Sequence, residues 1–232
     1  MLTIRPAAER GHVQSSWLDT HHSFSFGEYH DSRYLGVSNL RVINEDTIAP
    51  GQGFATHGHT DMEIVTVVLE GELEHRDSLG NGAVIRPGDI QHMSAGTGVR
   101  HSEFNPASDV PVHLLQIWLE PNLLGVAPAY AQQHFPPEAR RGRLVLLVSP
   151  DGRDGSIPTH QDACLSGARL DAGQSVTHTL ASGRHAYVQV ASGRAAVNGH
   201  PLIAGDGAHL RDELSLQIEG LDDAELLVFD LP

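Results

Sequence analysis

Gly51-Gln-Gly-Phe-Ala-Thr-His57-Gly-His59 is the stretch of this 232-residue sequence around which the fold is organised. Residues two apart on a β-strand point to the same face, so His57 and His59 offer two imidazole donors from one strand. The apolar run 64–69 follows, and Gly71 closes it. The pattern predicts a ligand-bearing strand, a turn and then a buried strand.

A second stretch of the same kind lies 44 residues after the first histidine. In Gly98-Val-Arg-His101-Ser-Glu103, a histidine and a carboxylate again stand two apart. The two stretches together give three imidazoles, one carboxylate and no thiolate, a set that suits iron, copper, nickel or manganese at least as well as zinc. The chain holds 16 histidines, so ordinary strand histidines are the alternative interpretation. The glycine spacing around both pairs favours an open metal site inside a β-barrel.

The composition excludes several classes of protein. The formal net charge of -14 argues against direct binding to nucleic acid, whose phosphates would be repelled. All 15 basic residues are arginine, so neither a lysine Schiff base nor a P-loop lysine is available. The chemistry must therefore come from other side chains.

The expected compartment is the cytoplasm. The single cysteine, Cys164, allows no intrachain disulfide and no thiolate zinc site. The first ten residues carry charges where a secretory signal needs an apolar core, and no apolar run approaches 18 residues. We expect no membrane association.

Short apolar runs bounded by glycine, proline, asparagine or aspartate recur along the chain, which is the pattern of a β-sandwich or barrel. The segment 77–82 predicts a hairpin turn in which Asn81-Gly82 supplies the positive φ angles. Arg86-Pro-Gly-Asp89 predicts a second turn. One short helix is expected at residues 128–134, with proline in its first turn and Pro136-Pro137 after it.

An internal repeat relates the two halves of the chain at an offset of 122 residues. Gly51-Gln52 matches Gly173-Gln174, and Gly71 matches Gly193, so the sequence predicts two barrels that arose by duplication. At this offset the pair His57 and His59 faces Thr179 and Ala181, and no second ligand set appears. The C-terminal barrel is therefore expected to hold no metal.

Prolines cluster between residues 120 and 142, where we expect the chain to pass from one barrel to the other. The predicted division is an N-terminal metal-binding barrel, residues 1–125, and a C-terminal metal-free barrel, residues 126–232. Segments near the N-terminus or the linker are candidates to cross over and complete the other barrel's sheets.

With these features assembled, the chain resembles the pirin family of the cupin superfamily, in detail over residues 17–121. The resemblance rests on Trp17-Leu-Asp, His22-Ser-Phe-Ser-Phe, Leu40-Arg-Val-Ile-Asn, the stretch 51–63, Leu69-Glu-Gly, Met93-Ser-Ala-Gly-Thr-Gly and Arg100-His-Ser-Glu. Residues 147–156 and 160–162 resemble the family more loosely. Within the family, the chain is most similar to the bacterial members described as quercetin 2,3-dioxygenases.

The resemblance implies an all-β bicupin, two jelly-roll barrels related by internal duplication, with one divalent transition metal ion in the N-terminal barrel. Carried over residue by residue, the family's ligands fall on His57, His59, His101 and Glu103, in agreement with the spacing argument. Iron is the leading candidate for the ion, and copper, nickel, manganese, cobalt and zinc stay open.

Neighbouring residues receive secondary roles. Glu63 lies four residues after His59 and is interpreted as orienting a ligand histidine, with direct metal binding as the alternative. His92 is interpreted as lining the cavity. Trp118 is expected in the core, and Gln116 could point towards the metal.

Two functions from different classes are compatible with this sequence. The resemblance implies a metal-dependent dioxygenase that binds O2 and a quercetin-like flavonol, or a related enediol or phenolic compound, and releases carbon monoxide. Glu103 is the one ligand able to take the hydroxyl proton of the substrate, so we expect it to act as the catalytic base. The rival is a non-enzymatic, metal-dependent regulatory module that binds a protein partner, as described for other pirins.

Overall fold

The polypeptide folds almost entirely into β-strands. The structure, a computed structural model, describes residues 1–232. The strands of the first half are β1 (Leu2–Arg5), β2 (Gly11–Gln14), β3 (Leu18–His22), β4 (Leu40–Ile48), β5 (Gly53–His59), β6 (Glu63–Glu70), β7 (Leu73–Asp77), β8 (Gly82–Ile85), β9 (Asp89–Ser94), β10 (Val99–Phe104), β11 (Val112–Leu119) and β12 (Ala129–His134). Those of the second half are β13 (Val145–Ser149), β14 (Ile157–Pro158), β15 (Cys164–Leu170), β16 (Ser175–Thr179), β17 (His185–Ser192), β18 (Arg194–Val197), β19 (His200–Ile203), β20 (Gly207–Arg211), β21 (Ser215–Gly220) and β22 (Ala224–Leu231). The helical segments are the short 3-10 helices Ala7–Glu9, Pro137–Arg140 and Arg153–Gly155, and no helix has the length and hydropathy of a membrane span.

The strands form two large sheets and two small ones. In the N-terminal barrel a seven-stranded sheet, β12-β9-β6-β11-β4-β3-β2, is combined with a four-stranded sheet, β5-β10-β7-β8. In the C-terminal barrel the orders are β1-β20-β17-β22-β15-β13-β14 and β16-β21-β18-β19. Neighbouring strands run antiparallel except in the short β13–β14 pair. This architecture confirms the predicted all-β bicupin.

The two barrels repeat each other strand by strand. In the large sheets, the central strands β9-β6-β11-β4 of the first correspond to β20-β17-β22-β15 of the second. The small sheets correspond in the same way, β5-β10-β7-β8 to β16-β21-β18-β19. The topology is therefore the one that a duplication predicts.

Each large sheet has an edge strand that the predicted division at residue 125 assigns to the other barrel. Strand β1 pairs with β20 from Leu2 to Arg5, while β12 pairs with β9 from Ala129 to His134. The chain thus crosses between the barrels on both sides of residue 125. A division into folding units at that residue stays a prediction.

The segment predicted as a short helix, residues 128–134, forms strand β12 instead. Pairing with β9 along all six residues gives its backbone hydrogen bonds on one side, whereas so short an isolated helix is marginal in water. The hairpin turn between β7 and β8 forms as predicted, but its positive φ of 93° falls on Gly80 and not on Asn81-Gly82. The predicted turn 86–89 is confirmed, with Gly88 at a φ of 95°.

The apolar cores of the two barrels differ. A continuous cluster of 16 buried residues fills the C-terminal barrel, whereas the N-terminal interior holds two separate clusters of 6 and 4 buried residues. A further cluster of 21 buried residues, drawn from both halves, lies between the barrels. The polar gap between the two N-terminal clusters is the place to which the histidines of β5 and β10 point.

Candidate metal centre

Strands β5 and β10 bring the three predicted histidine ligands together. The strands pair antiparallel, with His57 directly opposite His101. The next pair is Phe54 with Glu103, so β5 carries one extra residue over this interval. Because the bulge re-aims the following side chains, Phe54, His57 and His59 all face the same cavity.

The ring nitrogens of these histidines converge. Nε2 of His101 lies 3.1 Å from Nε2 of His57 and 3.0 Å from Nε2 of His59. The three rings are inclined to one another by 53°, 69° and 83°. Two imidazoles at right angles, each about 2.1 Å from an ion, would place their nitrogens about 3.0 Å apart. The observed spacing therefore fits a transition metal ion with ligands at right angles.

Burial keeps the imidazoles of His59 and His101 available to a cation. It lowers the pKa of His59 to about 4, with a further contribution from His57. It also lowers the pKa of His101 to about 3, again with help from the neighbouring histidines. At neutral pH both rings are uncharged and each keeps a lone pair.

Glu103 lies beside the histidines, but its carboxylate is not part of the compact group that their donor atoms form. Donor atoms of His57, His59 and His101 form one group within 4.8 Å, and Glu103 belongs to a second group with His75 and His101. Both carboxylate oxygens accept hydrogen bonds from Nε2 of Gln116, at 3.0 and 3.2 Å. Burial raises the pKa of Glu103. Its place as fourth ligand stays a proposal.

A cavity of about 330 Å³ adjoins the histidines. Phe26, Phe54 and Trp118 line it, with Trp118 edge-on to Phe26 at 5.4 Å and to His59 at 5.0 Å between ring centroids. Trp118 is half-buried: it packs against the smaller apolar cluster of the N-terminal barrel, as predicted, and it also lines the cavity. The volume is at the lower end of the range for small-molecule pockets.

Several polar residues of the site were missed from the sequence. Asn44 and Asp46 of β4 line the cavity, and burial raises the pKa of Asp46 to about 7. His75 and Asp77 of β7 lie behind His101 with fully buried side chains. The available signals were the alternation Asn44-x-Asp46 in an apolar strand and the spacing His75-x-Asp77, which repeats that of the ligand pairs.

Glu63 and His92 lie on the opposite face of the large sheet. Glu63 shares its face of β6 with Val65, which packs between the barrels, so the predictions that Glu63 orients a ligand and that His92 lines the cavity are wrong. Oε2 of Glu63 accepts from Nε2 of His92 at 2.7 Å and from Oγ1 of Thr159 at 2.8 Å. Burial opposes ionisation, but the hydrogen bonds from His92 and Ser94 hold the pKa of Glu63 at about 2.

The duplicated barrels, with a histidine cluster in only the first, define a protein of the bicupin class. The family model described as Pirin matches residues 3–119, and that described as Quercetinase C-terminal cupin domain matches residues 146–231. The chain belongs to the pirin family.

Relatives match the chain along its whole length. A quercetin 2,3-dioxygenase of Escherichia coli strain K12 is 47% identical over 100% of this chain and 99% of its own. A pirin-like protein of Caulobacter vibrioides is 41% identical over 99% of both chains. The crystal structure of YhhW from Escherichia coli has a TM-score of 0.97 and 46% identity over 100% of this chain and 98% of that one. A second structure, described as bacterial pirin YhhW in complex with nickel(II), has a TM-score of 0.96 and 46% identity over 100% of this chain and 99% of that one.

Proposed function

We propose that this chain is a metal-dependent dioxygenase that acts on quercetin-like flavonols, or on a related enediol or phenolic compound, with O2 as co-substrate. The observation that carries the proposal is the aromatic-lined cavity of about 330 Å³ that adjoins three converging imidazoles. The name of the Escherichia coli relative, quercetin 2,3-dioxygenase, supports the same reaction class.

In this proposal His57, His59, His101 and Glu103 hold one divalent ion per chain. Iron is our leading candidate, and the nickel complex of the related YhhW makes nickel its principal competitor, ahead of copper, manganese, cobalt and zinc. Such an ion, when bound, would supply a Lewis acid and a redox partner for the substrate oxygens and O2. His59 and His101 are suited to it because burial keeps both rings uncharged, and all three rings are already inclined to one another.

The remaining side chains act on the organic substrate. Phe26, Phe54 and Trp118 offer faces and edges against which flat aromatic rings can pack. Glu103 accepts the hydroxyl proton of the substrate, since burial raises its pKa and so makes its carboxylate a stronger base. Gln116 holds that carboxylate towards the cavity.

The test is oxygen uptake and carbon monoxide release by protein loaded separately with each candidate metal. A panel of flavonols and acidic enediols serves as substrates, and a His57→Ala/His59→Ala double variant is the control. We expect metal-dependent uptake with carbon monoxide in equal amount for at least one flavonol. Absence of uptake with every metal and substrate would contradict the proposal and favour the non-enzymatic module that binds a protein partner.

A further inference from the structure

A row of buried hydrogen-bonding groups leads away from the far side of His101. Its Nε2 faces His57 and His59, and its Nδ1 lies 3.4 Å from Nδ1 of His75. The other nitrogen of His75, Nε2, lies 3.1 Å from Oδ2 of Asp77. The side chains of His75 and Asp77 are both completely buried.

The order of donors and acceptors in this row is fixed by its last member, the carboxylate of Asp77. An ionised carboxylate can only accept, so Nε2–H of His75 donates to Asp77 and Nδ1 of a neutral His75 must accept. The donor to that nitrogen is then Nδ1–H of His101. This leaves the lone pair of His101 on Nε2, the atom that faces the other two histidines.

Both members of the row are held in place by further contacts. Oδ1 of Asp77 accepts the backbone N–H groups of Leu79 and Asn81, at 2.9 and 3.0 Å, which ties the carboxylate to the hairpin turn. The ring of His75 stacks on Tyr130 of the crossover strand β12, at 4.9 Å between centroids and 28° between planes. Both residues are therefore anchored by contacts other than the one to His101.

The fold does not require these two residues. At the offset of 122 residues, Val197 and Gly199 stand in the C-terminal barrel where His75 and Asp77 stand in the first. Val197 is fully buried in the apolar core of that barrel. A hydrophobic side chain thus fills this position well, and the buried polar pair occurs in the barrel that carries the histidine cluster.

We propose that His75 and Asp77 are positioning residues that fix His101 as the Nδ1–H tautomer and thereby set the affinity of the site for its metal. The inference rests on the proposed metal centre, although not on the substrate or the reaction. Partners that hold the far nitrogen of a ligating histidine orient the ring and raise its basicity. Their loss typically weakens metal binding by about 10- to 100-fold.

The test uses two substitutions of His75 with opposite hydrogen-bonding ability. His75→Leu removes both bonds, whereas His75→Gln keeps a carbonyl oxygen for His101 and an amide N–H for Asp77. His178→Leu is the matched control, because His178 pairs with a carboxylate, Asp230, at 2.7 Å in the C-terminal barrel. Nickel(II) affinity is measured by competition with a chelator.

We expect His75→Leu to weaken nickel binding by about 10- to 100-fold, His75→Gln to recover most of the loss and His178→Leu to have no effect. Nitrogen-15 spectra of the metal-free wild type should show His101 protonated on Nδ1, with its signals assigned by their loss in a His101→Asn protein. His75→Leu should give a mixture of tautomers.

Three results would overturn the inference: wild-type affinity in His75→Leu, an equal loss in the Leu and Gln variants, or His101 protonated on Nε2 in the wild type. The Gln variant and the wild-type spectrum still decide the matter if the Leu variant fails to fold. A wild type that binds nickel but consumes no oxygen would contradict the dioxygenase and leave this inference standing. A wild type that binds no metal would overturn both.

Discussion

The two barrels share a strand topology and differ in the side chains that fill their interiors. The pairing of β10 with β7 sets Glu103 opposite His75, and the equivalent pairing of β21 with β18 sets Ile218 opposite Val197. Ile218 and Val197 are fully buried members of the continuous C-terminal core. Apolar side chains thus occupy positions that in the first barrel carry a carboxylate and an imidazole.

The β-bulge on β5 is the second difference. His57 lies opposite His101 in the N-terminal barrel, whereas His178 lies opposite Leu216 in the C-terminal barrel, where the strands pair without a bulge. By strand pairing, the counterpart of His57 is therefore His178, and not Thr179 as the gapless repeat indicates. A single histidine opposite a leucine offers no ligand set.

The candidate site thus depends on a few interior substitutions and one inserted residue. A barrel topology that is stable with an apolar interior can also hold a polar interior, provided that the buried polar groups find hydrogen-bond partners. Most of the apolar burial lies outside the site, in the C-terminal core and between the barrels. Metal should therefore matter for chemistry more than for folding.

The largest expected effect comes from making the first barrel resemble the second at the histidines. In the His57→Ala/His59→Ala double variant, only His101 and Glu103 remain of the proposed ligands, so one bound ion per chain should fall to none. Metal content after desalting is the measurement, and His178→Ala is the control that should keep a full equivalent. Retention of one ion by the double variant would place the site elsewhere.

The second-largest effect should follow substitution of Glu103, the proposed catalytic base. Glu103→Gln keeps an oxygen donor of similar shape but removes the charge and most of the basicity, so turnover should fall by at least about a hundredfold at matched metal occupancy. Metal content must be measured for each preparation, since weaker metal binding would also lower the turnover. A metal-replete variant that consumes oxygen at nearly the wild-type rate would remove the assignment.

The stabilisation that Glu63 provides at the contact between the barrels should depend on pH. Its folded pKa of about 2 is below the ordinary 4.5, so its stabilisation is present above about pH 4.5 and is lost as the pH falls towards 2. Glu63→Gln should lower the free energy of unfolding by about 3 kcal/mol at pH 7, because a buried hydrogen-bonded charge is removed from its partners. Urea denaturation at pH 7 and near pH 3 should show the gap between wild type and variant narrowing in acid. A constant gap would contradict this role.

The smallest effect should follow removal of the metal itself. At a free metal concentration of 100 times its Kd, binding contributes only about 2.7 kcal/mol to the free energy of unfolding. Chelation should leave the β-sheet circular dichroism intact and lower the unfolding temperature modestly. Collapse of the spectrum on chelation would show that metal binding drives folding, as in small zinc domains.

Sequence spacing predicted the parts of the fold and site that depend on local periodicity. The same-face pairs of β5 and β10, the duplicated barrels and the turn 86–89 were all readable because glycines and alternating strands mark them. Strand β12 was missed, since its pairing with a distant β9 overrides local helix propensity. The orientation of Glu63 and His92 was also missed, because the side of a strand that meets the second barrel is decided by packing between the two halves.

The most direct test of the account is a crystal structure of metal-loaded protein, with anomalous scattering measured on both sides of the absorption edge of the metal. We predict one strong peak per chain, about 2.0 to 2.3 Å from Nε2 of His57, His59 and His101 and from a carboxylate oxygen of Glu103. No peak is expected beside His178. A principal peak at another cluster, such as the exposed group of His12, Asp19 and His21, would contradict the account.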